Sequence, residues 1–206
     1  MKKTTTASLK TKKGLISIGI DVGSVNGAIS IVSEDGEILL LTKAPTYQTE
    51  VKSKRNKSKL NTETGKYEAN FRKRNWVDFK KLRELFEPYE GFRKIYTIEK
   101  MAPRSNEGTV TPFVNGNSLG IFQGLYAYLN PEVYVEPRPS EWKSELNLSA
   151  HKDQSIELAE EIYKVKLKDY LPRGKVDDIA EALLLAFYGF KKYYEFNERK
   201  DNNGKK

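Results

Sequence analysis

Apolar positions early in the chain fall into short runs of strand length, and later ones recur at helical spacing. LISIGID (15–21) is an apolar run that stops at Asp21, and VGSVNG, rich in turn-forming residues, follows it. GAISIV (27–32) predicts a second strand, SEDGE a hairpin turn, and EILLLTK (37–43) a third strand, so the chain opens as an antiparallel meander. After Ala44 and Pro45 the period dissolves into a polar, basic stretch, expected as an extended hairpin or a mobile arm. WVDFKKLRELF (76–86) has helical spacing at Trp76, Phe79, Leu82, Leu85 and Phe86, and ends near Pro88 and Gly91. KIYTIEK (94–100) predicts a strand and 102–117 a long polar loop. SLGIFQGLYAYL (118–129) predicts an apolar helix, with Gly120 and Gly124 spaced for close backbone packing, and EVYVEP (132–137) another strand. Residues 139–147 open with Pro-Ser, a helix-start signal, and helices are expected over 151–163 and, most apolar of all, 177–190. The order β-β-β-α-β-α-β-α-α predicts an α/β fold, a mixed sheet with helices on both faces. The expected organisation is one domain over 14–192 with a basic insert at 44–75, between flexible tails at 1–13 and 193–206.

Composition narrows the chemistry. In 206 residues there is no cysteine and one histidine, His151. Disulfides, thiolate nucleophiles, sulfur-ligated zinc and multi-histidine metal sites are excluded, and a Ser-His-Asp triad is disfavoured. His151 reads as a helix-start residue and Trp142 as core. No apolar run is long enough to span a membrane. The opening MKKTTTASLKTKKG lacks the apolar segment of a secretory signal, so a cytoplasmic protein is expected, including that of a phage acting in its host.

Charge is sorted along the chain. The net charge is +8. Residues 1–13 carry five lysines and no acid, residues 43–75 carry ten Lys/Arg against Glu50, Glu63 and Glu68, and residues 191–206 carry six against three. The rest is therefore net acidic: an acidic body with basic appendages. Basic tails also serve solubility, but in 43–75 the basic residues interleave with Tyr67, Phe71 and Trp76, which suits a grip on a polyanion. The candidate phosphate contacts there are Lys52, Lys54, Arg55, Lys57, Lys59, Arg72, Lys73 and Arg74, with Arg104 and Lys175 outside the insert.

The body holds the candidate chemistry. Asp21 ends the first strand, Glu99 ends the fourth, and Asp178 and Glu181 lie three apart in the first turn of the last helix, on one face. Asp177 is an adjacent spare, turned about 100° away. Each acid alone has a structural reading, as a turn residue or as part of a capping box. Gathered together they repel unless cations neutralise them, and hard oxygen donors favour Mg2+ or Mn2+. Two such ions about 4 Å apart could clamp a phosphodiester, one activating water and one stabilising the leaving oxygen.

IGIDVGSVNGAISIV, YTIEKM and KVDDIAEALLLAFYG together resemble the three acidic signatures of RuvC-like Holliday-junction resolvases, nearest in flavour to the phage, poxvirus and chloroplast branches. NGNSLGIFQGLYAYL resembles the Gly-rich helix after that family's catalytic glutamate, and VYVEPRPSEWKSELNLSAHKDQSIELAEEIY its strand, Trp-Lys segment and Lys-led helix. The resemblance covers 14–190. It implies an RNase H-like five-stranded mixed sheet, three antiparallel strands plus two parallel. It also implies a homodimer acting in DNA recombination and repair that makes paired, metal-dependent nicks in opposing strands of a four-way junction. Asp21, Glu99, Asp178 and Glu181 would then be catalytic metal ligands with Asp177 beside them. Lys152 would approach the scissile phosphate, and Lys175 would touch the backbone. Two departures stand out. Glu181 replaces the commoner aspartate, and Met101, Ala102 and Pro103 stand where bacterial members place a base-stacking aromatic, a role open to residues 103–116 or to aromatics of the insert. Two other functions remain open: a broader flap and fork nuclease, and an actin-like ATPase or sugar-kinase domain, which IGIDVG also resembles. The latter needs a second phosphate motif and a larger chain, so no nucleotide cofactor is expected.

Overall fold

The computed structural model describes residues 14–23, 27–52, 59–60, 63, 67–68, 71–101, 110–149, 151–172 and 176–203, with 59, 60, 67, 68, 152, 202 and 203 described by their backbone alone. The meander is present as β1 (Leu15–Asp21), β2 (Ala28–Ser33) and β3 (Ile38–Lys43). β4 (Thr46–Lys52) pairs antiparallel with β7 (Phe71–Val77), and β5 (Lys59–Leu60) with β6 (Tyr67–Glu68). In its described parts the basic insert is thus a hairpin. Then come α1 (Phe79–Phe86), β8 (Arg93–Ile98), α2 (Val110–Leu129), β9 (Val133–Val135), α3 (Pro139–Glu145), α4 (Lys152–Tyr163), α5 (Leu167–Tyr170) and α6 (Asp177–Asn203). The central sheet runs β3-β2-β1-β8-β9, antiparallel through the first three strands and parallel through β1, β8 and β9. That is the mixed sheet the sequence pattern predicts, in the five-stranded form that the family resemblance implies.

Several boundaries differ. Trp76 and Val77 belong to β7, paired with Tyr47 and Thr46, and the helix starts only after Asp78, whose carboxylate accepts from Lys81 N at 3.1 Å. The capping signal outweighs the helical spacing of Trp76. Residues 110–117 are helix rather than loop, because Pro112 falls in the first turn, where its missing N–H costs nothing. Gly116, Gly120 and Gly124 are exposed on α2, and a Cβ on any of them would meet nothing within 4 Å among the described residues. The short α5 was not expected, and α6 continues past 190 to Asn203. Its extension is tied down by Arg93 donating to Tyr193 Oη at 2.6 Å and by Tyr194 Oη donating to Glu34 at 2.7 Å. Among the described residues no helix is long and apolar enough to cross a membrane.

The parity of strand positions decides what each face of the sheet meets. Ile16, Ile18, Ile20, Ile29, Ile31, Tyr96 and Ile98 are buried in one cluster with Leu82 and Phe86 of α1 and Phe122 and Leu125 of α2. The alternate residues face α6, and most are small. Ser17 Oγ donates to Ala186 O at 2.7 Å and Ser30 Oγ to Ala182 O at 2.8 Å. A Cβ on Gly19 would lie 2.0 Å from Ala182 O, and one on Gly189 would lie 2.3 Å from Thr97 Oγ1. The helix therefore rests almost on the strand backbone.

Candidate active site

The same parity places the acids. Asp21 continues the Ser17, Gly19 series on β1, and Glu99 follows β8 in phase with Ile95 and Thr97, its N–H donating to Ile20 O at 3.3 Å. Both stand on the α6 face, at the C-terminal ends of neighbouring parallel strands. α6 lies over that face and opens with Asp177, Asp178 and, one turn on, Glu181. The charge pattern helps the helix start there, since its N-terminal dipole favours acids.

The acids sense each other. Burial first, then the charges of Glu181, Glu99 and Asp178, push the Asp21 carboxyl well above the usual carboxylate range, while Lys43 pulls it down. The remaining carboxylates have basic or N–H partners. Lys43 Nζ donates to Asp178 Oδ2, Lys143 Nζ lies 2.8 Å from Glu181 Oε1, and Trp142 Nε1 donates to Glu99 Oε1 at 2.9 Å. Trp142 is fully buried, as its core reading requires, and it aims Glu99 as well. Asp177 is also buried.

The donor set fits a hard divalent cation: it is all-oxygen, and burial together with the neighbouring acids raises the Asp21 carboxyl. Among the described residues no three His, Asp or Glu side chains converge closely enough to hold an ion as they stand. Lysine ammonium groups sit on Asp178 and Glu181 instead.

The structure places Asp21 and Glu99 at the ends of neighbouring strands and Asp178 and Glu181 at the start of the helix across them. His151 occupies the N-cap position of α4 in an extended conformation, with no capping hydrogen bond from its side chain. Lys152 opens that helix, but its side chain is not among those described, and Lys54, Arg55, Lys57, Arg104 and Lys175 lie outside the described residues. Lys59 is placed only as backbone in β5. Lys52, Arg72 and Lys73 are exposed on the β4–β7 hairpin, and the Arg74 guanidinium lies 5.6 Å from the centre of the Trp76 ring. Sequence reasoning missed Lys43 and gave Trp142 and Lys143 no contact with the acids. The Trp-Lys pair was noticed; that it reaches Glu99 and Glu181 depends on tertiary packing.

A mixed sheet in this order, with acids at the ends of β1 and β8 and at the start of the helix across them, is an RNase H-like fold of the RuvC type. In agreement, the chain is similar to the solved structure "T. thermophilus RuvC in complex with Holliday junction substrate", with TM-score 0.52 and 16% identity over 84% of this chain and 90% of that one. A second, "Thermus thermophilus RuvC structure", matches with TM-score 0.49 and 17% identity over 86% of this chain and 96% of that one. No protein-family model and no curated protein sequence matches the chain.

Proposed function

We propose that this protein is a metal-dependent, structure-selective DNA endonuclease that resolves four-way (Holliday) junctions by paired symmetric nicks, as a homodimer. The observation that carries the reading is the gathering of Asp21, Glu99, Asp178 and Glu181 at one edge of a RuvC-like sheet, where burial and then its fellow acids raise the Asp21 carboxyl well above its ordinary value. Those four residues, with Asp177 beside them, would hold two Mg2+ or Mn2+ ions. When bound, such ions activate water and stabilise the leaving oxygen of a phosphodiester. The chain's own side chains supply orientation: Trp142 fixes Glu99, and Lys143 fixes Glu181. Lys152, at the start of α4, is assigned to the scissile phosphate by family resemblance.

The choice of branched DNA draws on the RuvC neighbour, whose solved complex contains a Holliday junction substrate. It draws also on the hairpin, which leaves the sheet from the end of β3, the same edge as Asp21. Lys52, Arg72, Lys73 and Arg74, with Lys54, Arg55, Lys57 and Lys59 between them in sequence, suit phosphate contacts, as do Arg104 and Lys175. Phe113 is 65% exposed and meets Trp76 edge-on at 6.4 Å. An aromatic pair beside arginines suits stacking of unpaired bases, the role Met101 and its neighbours cannot fill. The open glycine track of Gly116, Gly120 and Gly124 on α2 suits close approach by a second subunit. A cytoplasmic location, including that of a phage protein in its host, goes with this reading.

The test is incubation with end-labelled four-way junction, duplex and flap DNA, in Mg2+ or EDTA. Paired symmetric nicks on the junction alone, abolished by EDTA, are expected. Cutting of flaps and forks as well would replace junction resolution with a broader nuclease. Tight junction binding without cutting in Mg2+ or Mn2+ would overturn the enzyme.

A further inference from the structure

The site already holds a cation that belongs to the chain, and strand register puts it there. Asp21 on β1 pairs with Ala28 on β2, and Ala28 pairs with Lys43 on β3. Directly paired residues in antiparallel strands share a face. Lys43 therefore stands in the same row as Asp21, two strands away and on the side covered by α6. A lysine ending an edge strand can reach water freely and keep its rotamer freedom. This one instead turns inward to Asp178, with its side chain 28% and that of Asp178 15% exposed. Its charge is felt at Asp21 too, against the three acids that act the other way.

We propose that Lys43 is the built-in counter-ion of the metal-free site: its ammonium takes the place of positive charge beside Asp178, and a divalent ion must displace it to bind there. The inference rests on the metal-dependent reading above and adds a positioning residue to it. Two consequences follow from one ion pair. Without metal, Lys43 offsets part of the repulsion among four acids that cannot disperse, because each is fixed by a strand end or a helix turn. On metal loading, the same pair is a competitor. The affinity for the ion is lowered by whatever free energy the ammonium had with Asp178.

Mn2+ binding to the full-length protein without DNA tests this, by electron paramagnetic resonance of free Mn2+ and by titration calorimetry. Lys43→Met removes the charge. Lys43→Gln removes it while keeping a hydrogen bond to Asp178, which guards against a folding defect. Lys43→Arg restores the charge. Both neutral variants should bind Mn2+ about three- to tenfold more tightly than wild type, with Lys43→Arg returning towards the wild-type value. Their thermal midpoint in EDTA should fall, and the rise on adding Mn2+ should exceed that of wild type. A lysine that only braced the fold would weaken Mn2+ binding when removed. Unchanged or weaker binding in folded Lys43→Gln therefore overturns the counter-ion. If the protein nicks junctions while the neutral variants fail to tighten, only the counter-ion falls. If it binds Mn2+ more tightly in those variants yet leaves junctions uncut, the proposed function falls and the counter-ion stands.

Discussion

The two faces of the central sheet are built to opposite rules. Towards α1 and α2 the strands present Ile16, Ile18, Ile20, Ile29, Ile31, Tyr96 and Ile98, large side chains packed by volume. Towards α6 the same strands present Ser17, Gly19, Ala28, Ser30 and Thr97, and the helix answers with Ala182, Ala186 and Gly189. Burial of large apolar groups contributes about 1.5–3 kcal/mol per side chain, and on the first face the strands themselves supply many of them, whereas on the second the large groups come mainly from the helices. The second face gives up volume for proximity. Its small residues bring the helix start onto the strand ends, and the acids occupy the next positions in those rows. Parity along the strand separates the large strand side chains packed on α1 and α2 from the small ones that run up to the site.

The largest expected effect breaks the site and spares the fold. Glu99→Gln should reduce junction nicking roughly 1000-fold or more, because an amide is a poor partner for a hard cation. Junction binding should persist, since Glu99 is not part of the basic hairpin. Trp142→Phe, which removes the hydrogen bond to Glu99 Oε1, should cost about 10- to 100-fold in nicking, the usual scale for a residue that orients a ligand. Equal activity of Trp142→Phe and wild type would show that Glu99 needs no such partner.

A direct contrast of the faces comes next. In Gly19→Ala the new methyl would meet Ala182 O at 2.0 Å and Ala186 N at 2.5 Å, both backbone atoms of a helix that cannot yield locally. α6 must move away, for about 3 kcal/mol of stability and a fall in melting temperature on the order of 10 °C. Nicking should fall further than stability accounts for, because Asp178 and Glu181 travel with the helix. Ile31→Val, on the other face, should cost about 1 kcal/mol and leave nicking at the wild-type level in the folded protein. Gly19→Ala with an unchanged melting temperature, or Ile31→Val with impaired nicking at full folding, would dissolve the division between the faces.

This contrast also explains what could be read from the sequence. Strand parity and the ends of LISIGID and KIYTIEK are local, so the strands and the acids at their ends were legible, while the five-stranded mixed sheet came only as what the family resemblance implies. The spacing of Trp76 to Phe79 is helical by coincidence, and Asp78 carries the stronger signal as a cap. The start of α2 was hidden by Pro112, Gly116 and Asn117, which mark turns except at a helix's first turn or on an unpacked face. The end of α6 has no strong apolar stripe, and it is held by distant polar partners, Arg93 and Glu34, that no local window contains. Lys43 escaped for the same reason. Its place beside Asp178 follows from the register of three strands and the closeness of α6, and neither exists until the fold does.

The smallest effect sharpens the comparison from the rim. Glu145, at the end of α3, accepts from Lys192 Nζ at 2.9 and 2.7 Å and from Tyr188 Oη at 3.0 Å, and lies 3.1 Å from Lys191 Nζ. It therefore clasps to α6 the helix that carries Trp142 and Lys143. The hydrogen bond from Lys192 leads in pulling the Glu145 carboxyl down to about 2 from its ordinary 4.5, helped by Lys191 and Tyr188. A carboxyl lowered in the folded state contributes stability that is present above its unfolded value and lost as pH falls through the folded one. Here that window runs from 4.5 down towards 2. Because the side chain is 35% exposed, solvent screens the clasp to about 0.5 kcal/mol, a shift on the order of 1–2 °C. Glu145→Gln should show that deficit at neutral pH and low salt, lose it in high salt, and converge with wild type at the acid end of the window. Nicking should stay intact, because buried Trp142 still seats α3 from below. A large loss of nicking in Glu145→Gln would mean that the exposed clasp, and not the buried indole, sets where Lys143 and Trp142 meet the acids.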